Sequence, residues 1–122
     1  MTVTSASVVG KGAEIVLSNG TTDTKVPTSI SIDPNKTDVW VGDISVNGKP
    51  LRDFDPEVSS GAFTFEVPEG VNFAPGEGTI TLGDFQKWDG KKSIYKSNLP
   101  NTIDVTITYA DGTTTVVQIL KP

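Results

Sequence analysis

The sequence predicts an all-β protein, folded as a two-layer antiparallel β-sandwich of about eight short strands. Apolar and polar residues alternate with a period of two, and turn-forming residues separate the alternating segments. No window carries apolar residues at helical spacing over three turns, so no substantial helix is expected. With 122 residues, we expect one domain that spans residues 1–122.

Most strands can be assigned directly from the alternation. Asn47 and Gly48 are typical of a two-residue hairpin, because both tolerate the positive φ of a type I′ turn. Pro50 marks the following strand as short or as an edge strand. The segment from Gly83 to Pro100 is the least regular, and residues 84–88 could form one helical turn. The other predicted strands cover residues 3–9, 13–17, 29–33, 39–41, 44–46, 62–67, 79–82 and 103–109, with a return strand after Gly112.

The last hairpin can be predicted to the residue. A three-residue loop with Gly112 in the left-handed conformation places Val105 opposite Val117, so both strands send apolar side chains inward. A two-residue loop would instead pair Val105 with Gln118. Because a slip of one residue would turn the apolar side chains of the return strand out to solvent, we expect the three-residue loop.

Composition excludes several functions. The chain has no histidine and no cysteine, so the usual triads, thiol nucleophiles and zinc sites are absent and we expect no enzyme and no cofactor. Ten basic and 15 acidic residues give a net charge of −5, which argues against nucleic acid as a partner. No segment has the length and apolarity of a membrane span. Met1 indicates either a protein made in the cytoplasm or a methionine added to a secreted domain.

The candidate partner-binding site is a basic segment with aromatic residues. Residues 84–96 contain four lysines against two aspartates, a local net charge of +2 in an acidic chain. An exposed indole there could stack on a sugar or anchor a protein interface. The alternatives are a loop folded back over the sheet and a solvated loop whose lysines aid solubility. The residues expected to contact a partner are Lys87, Trp88, Lys91, Lys92 and Tyr95.

Other features have simpler explanations. Trp40 lies between two valines and is expected in the core or between the sheets. The acidic segments 33–38 and 53–57 contain oxygen ligands that calcium prefers, but neither matches the twelve-residue calcium loop and turn formation explains both, so no metal site is expected. Residues 1–10 carry no charge and suit either a first strand or an arm that pairs with a neighbouring sheet edge.

The segment from Ala62 to Leu120 resembles the closing part of bacterial and phage immunoglobulin-like modules. The resemblance rests on the alternating strand IDVTITY, the turn ADG and the return TTTVV. It implies a β-sandwich that serves as a spacer, an adhesive domain or a capsid-decorating domain, without catalytic residues. The chain departs from antibody-type members because it lacks the paired cysteines, so Trp40 cannot pack on a disulfide.

Together these features favour a virion structural protein, made in the host cytoplasm, that decorates or cements a bacteriophage capsid. Its partners would be the capsid protein or further copies of the chain, for example in a homotrimer, with no nucleic acid and no membrane. The alternative is a carbohydrate-binding or spacer module of a secreted bacterial enzyme or surface protein, in which Trp88 and Tyr95 would form the stacking platform.

Overall fold

The computed structural model describes residues 1–9, 12–33, 35, 39–41, 43–53, 63–83, 85–87 and 102–120, with the backbone alone for residues 39–41, 52–53, 63, 65 and 85–87. The described residues form eleven strands and no helix. The strands are β1 (Thr2–Val9), β2 (Gly12–Asn19), β3 (Pro27–Asp33), β4 (Val39–Val41), β5 (Asp43–Val46), β6 (Lys49–Asp53), β7 (Phe63–Glu66), β8 (Gly76–Leu82), β9 (Phe85–Lys87), β10 (Thr102–Tyr109) and β11 (Thr114–Leu120).

Nine of these strands form two antiparallel sheets, in the orders β1-β2-β8-β5-β6 and β11-β10-β3-β7, and β4 pairs with β9 in a separate ribbon. The run β1-β2-β8-β5 matches the A, B, E and D strands of an immunoglobulin constant-type domain, and β11-β10-β3 matches G, F and C. Strand β6 extends the first sheet and β7 extends the second. The architecture is therefore an immunoglobulin-like β-sandwich, as the sequence predicts.

The core lies between the two sheets and follows from the alternation. In β10, residues Ile103, Val105 and Ile107 are at most 1% exposed, whereas Asp104 and Thr106 between them are partly exposed. The same period of two runs through the other long strands, so each sheet has one dry face and one wet face. The buried apolar residues are Ala13, Ile15, Leu17, Ile30, Ile32, Ile44, Val46, Val71, Phe73, Ile80, Leu82, Ile103, Val105, Ile107, Tyr109, Val117 and Ile119.

Both predicted hairpins are confirmed. Val105 pairs with Val117, and Gly112 has a φ of 86°, as the three-residue loop requires. Asn47 and Gly48 have φ values of 51° and 80°, the positive values that the type I′ turn needs. Strand β6, which contains Pro50, is an edge strand as predicted.

Two sequence-based expectations need correction. Phe85–Lys87 is extended instead of helical, because its backbone pairs with β4. Strand β8 begins at Gly76, although Pro75-Gly76-Glu77-Gly78 has the composition of a turn, because β2 provides a pairing partner along its whole length.

One end of the sandwich, here called the turn end, contains residues 20–26, 67–75 and 110–113. Asn19 is buried there, and its amide donates to the carbonyl oxygens of Asp23 and Phe73 at 2.9 and 3.0 Å. Lys25 and Phe73 exchange two backbone hydrogen bonds of 2.9 and 2.8 Å. These bonds join the two sheets where the chain crosses between them.

The packing of Phe73 at the turn end depends on Gly78. The buried ring of Phe73 packs directly on Gly78, where an added Cβ would lie 2.6 Å from the ring carbon Cδ1. A side chain at this position would therefore displace Phe73 and the backbone bonds that it holds.

The turn of the last hairpin is held by Lys25. Its ammonium contacts the Asp111 carboxylate at 2.5 Å and the Thr113 hydroxyl at 3.1 Å, and it lies 5.5 Å from the ring centre of Tyr109. The hydrogen bond from Lys25, followed by those from Thr113, holds the pKa of Asp111 well below its usual range. Burial raises the pKa of Tyr109, while the hydrogen bond between its hydroxyl and Thr115 acts in the opposite direction.

We expect Gly78→Ala to lower the free energy of unfolding by about 1–3 kcal/mol, because the added methyl group overpacks the site of Phe73. Urea unfolding followed by fluorescence measures this change. Gly20→Ala is the matched control, since a Cβ at Gly20 meets no atom within 4 Å and its φ is not positive. Equal unfolding midpoints for the two variants would show that Phe73 does not pack on residue 78 in solution.

We also expect the stabilising effect of Asp111 to depend on pH. Because folding lowers the pKa of Asp111, its contribution is complete above about pH 4, where an unfolded aspartate ionises, and is lost as the pH falls further. The gap in urea midpoint between the wild type and Asp111→Asn should thus be widest at neutral pH and should close in acid. Asp23→Asn serves as the control. A difference in urea midpoint between the wild type and Asp111→Asn that stays the same at every pH would contradict the ion pair.

Candidate functional site

The basic segment that the sequence analysis selected lies almost wholly outside the described residues. Of the five residues expected to contact a partner, only Lys87 is among the described residues. It is the last residue of β9, and its backbone pairs with Val39. Trp88, Lys91, Lys92 and Tyr95 lie outside them. Their proposed contact with a partner stays a prediction.

The described residues on either side show where this segment is attached. After it, the chain enters β10 at Thr102, which pairs with Leu120 at the end of β11. Asp104 pairs with Asp33 at the end of β3. These strand ends lie opposite the turn end.

The other residues singled out from the sequence are partly described. The backbone of Trp40 pairs with Gln86, and its side chain lies outside the described residues. In the acidic segment 33–38, the backbone N–H of Asn35 donates to the Asp33 carboxylate at 2.8 Å, and the Asn35 amide donates to Thr102 at 3.0 Å. These contacts serve the turn. Within the described part of the chain, no group of three or more acidic, histidine or cysteine residues could hold a metal ion.

The two edges of the sandwich differ sharply in charge. Strands β1 and β11 lie beside each other and form one edge, which we call the uncharged side. Neither strand contains a charged residue, over eight and seven residues respectively. The opposite edges are β6, with Lys49, Pro50 and Arg52, and β7, with Glu66. Charges and proline are the usual protection of an edge against unwanted strand pairing, so only one side of this sandwich is protected in that way.

Strand β1 has an outer edge with which no described strand pairs. Its other side pairs with β2. Its register shifts between Val3 and Ser5, and the hydroxyl of the extra residue, Thr4, donates to the Val16 carbonyl at 3.0 Å. This bulge keeps both Val3 and Ala6 on the inner face, although they are three positions apart and would point to opposite faces of a regular strand.

Exposed apolar side chains occur in both strands of the uncharged side, on the outer faces of the two sheets. Val9 at the end of β1 is 57% exposed, and Val116 and Leu120 in β11 are 68% and 60% exposed. Single exposed valines are ordinary, but these three belong to the two strands that lack charge. The other exposed residues of β1 are serines and threonines, so another backbone could approach this strand closely.

This arrangement suits binding to another β-strand. An uncharged edge offers backbone N–H and C=O groups with few side chains that need desolvation, which is the chemistry of strand addition. The described residues contain no helix that could span a membrane. The two described groups with shifted pKa values, Tyr109 and Asp111, are accounted for by the hairpin turn.

Half of this surface is predictable from the sequence. Residues 1–10 lack charge and suit either a first strand or a pairing arm, and in the structure Thr2–Val9 form the first strand, paired with β2. Strand β11 was not predicted as part of a contact surface, although the absence of charge in TTVVQIL is visible in the sequence. Only the packing of the sheets shows that the two uncharged strands are neighbours.

Comparisons with known proteins add little about function. No family model and no curated protein matches the chain. One solved structure that resembles it is an uncharacterized protein from Nocardia farcinica, described as having an immunoglobulin-like fold. The identity is 14%, the match covers 94% of this chain and 80% of that chain, and the TM-score is 0.42. A likeness at this level says nothing about what either protein binds.

Proposed function

We propose that the protein is a non-enzymatic structural protein of a bacteriophage virion, which decorates and cements the assembled capsid. The observation that supports this proposal is the uncharged side, two neighbouring strands without charge in which Val9, Val116 and Leu120 are exposed. The net charge of −5 keeps copies apart elsewhere on the surface, so close approach is favoured at this side.

The mechanism is non-covalent clamping. A domain that binds across the junction of two capsid subunits binds the closed shell and loses that contact when the shell opens. By mass action, such binding stabilises the closed particle without any chemical step. Its strength depends on how many copies occupy the shell, so a small domain can serve if it is abundant.

The partners are the capsid protein and further copies of the chain. Repeated positions on a shell lie on symmetry axes, which select closed assemblies such as a trimer. Pairing through β1 is compatible with this, because backbone hydrogen bonds join strands without demanding a particular sequence.

The basic segment supplies a second contact in this proposal. Lys87, Trp88, Lys91, Lys92 and Tyr95 face the shell, where positive charge would orient an otherwise acidic domain on an acidic surface. The virion is therefore its proposed location, after synthesis in the host cytoplasm.

The uncharged side can be tested by charging it. We expect Val9→Lys with Val116→Lys to weaken association by at least about tenfold, because an unpaired ammonium would be buried in the contact. Light-scattering mass and the number of copies retained on purified virions measure the effect. Thr64→Lys with Thr81→Lys is the matched control, since both threonines are exposed on other strands. Full occupancy of the virion by the Val9/Val116 variant would show that the uncharged side is not the contact surface.

A separate variant tests the basic segment. Trp88→Ala with Lys91→Ala should reduce occupancy on the virion while leaving the free energy of unfolding, measured in urea, within about 0.5 kcal/mol of the wild type. Unchanged occupancy would remove this segment from the contact. A drop in stability of several kcal/mol would instead assign Trp88 to the core.

A further inference from the structure

A groove of about 550 Å³ lies at the turn end, between the beginning of β3 and the segment that follows β7. Thr28 and Val67 hold its two walls together, since the Val67 N–H donates to the Thr28 carbonyl at 3.0 Å. The groove lies on the opposite side of the sandwich from β11, because β7 and β11 are the two edges of one sheet. It is therefore separate from the uncharged side.

The groove combines apolar walls with unpaired negative charge. Val26, Pro27, Val67 and Pro68 line it, and Val26 is 42% exposed. Two carboxylates, Glu66 and Glu69, complete the lining together with Thr28 and Ser29, and no lining residue is basic. Within the described part of the chain, neither glutamate takes part in an ion pair.

The cation that precedes the groove in the chain does not neutralise it. Lys25 is adjacent to Val26, but its ammonium is held by Asp111 and Thr113 and lies against the ring of Tyr109. Its side chain is only 16% exposed. The charge of Lys25 is thus paired with Asp111 in the hairpin turn, and it does not neutralise Glu66 or Glu69 in the groove.

We propose that this groove binds an extended, positively charged peptide segment of another protein. The valine and proline side chains suit the aliphatic stems of lysine or arginine, which pack on apolar surfaces while the charged head stays at the rim. Glu66 and Glu69 then accept charge-assisted hydrogen bonds from those heads, and an arginine can engage a carboxylate with two parallel bonds.

The position of β7 favours an extended peptide over a compact ligand. Strand β7 is an edge strand, and in the described part of the chain nothing pairs with its outer side. Glu66 disfavours the pairing of uncharged or acidic strands with this edge, but it attracts a basic one. A positively charged peptide in the groove can therefore continue along β7, so that backbone bonds add to the charge contacts. This proposal does not depend on the virion role and would hold for any partner with such a segment.

Fluorescence anisotropy with a labelled peptide of alternating valine and arginine tests the proposal. We expect Glu66→Gln with Glu69→Gln to weaken binding by about fivefold to tenfold, the range for two exposed charge contacts. Glu14→Gln with Glu77→Gln is the matched control, because it removes the same charge from exposed positions on the other sheet. The control should bind as the wild type does.

Three outcomes would overturn the proposal. Equal weakening by both double variants would show attraction to net charge alone. Equal binding of a valine–glutamate peptide would show that charge plays no part. Chemical-shift changes on peptide addition that avoid residues 26–29 and 66–69 would place the peptide elsewhere.

Discussion

The inward alternation of apolar side chains is the constraint on which the other features of this sandwich depend. Every long strand must keep one face dry, so any change in residue spacing has to be absorbed locally. The bulge at Thr4 does this in β1, and the three-residue loop at Gly112 does it between β10 and β11. The turn end adds the packing of Phe73 on Gly78, which keeps the loops between the sheets closed. Irregularity thus appears where it preserves the core.

The distribution of charge gives the two sides of the sandwich different capacities. Edges that carry lysine, proline or glutamate are protected against pairing, whereas the uncharged side combines bare backbone with exposed valine and leucine. The groove beside β7 instead combines two negative charges with apolar walls. One small domain can therefore present two surfaces that attract chemically different partners, with little competition between them because they lie on opposite edges.

Features set by neighbouring residues were predictable from the sequence, whereas features set by residues far apart in the chain were not. The hairpin at Asn47 and the register that pairs Val105 with Val117 were predictable, since each follows from a turn and the alternation around it. The strand at Phe85–Lys87 was not, because its partner lies far away in the chain. For the same reason the groove was invisible in the sequence, and only the uncharged residues of β1 pointed to the candidate surface. The basic segment around Trp88 falls largely outside the described residues, so its role remains a prediction from the sequence.

The directions of the first and last strands bear on how the domain carries mechanical load. Strand β1 begins at the turn end, where Thr2 pairs with Ser18, and β11 finishes at the other end, where Leu120 pairs with Thr102. A pull on the chain through these two strands runs along the strand axes. The hydrogen bonds of β1 to β2 and of β11 to β10 are then sheared together instead of opening one after another. Unfolding under force then requires many hydrogen bonds to break at once. The domain therefore resists a pulling force far better than its small core alone would suggest.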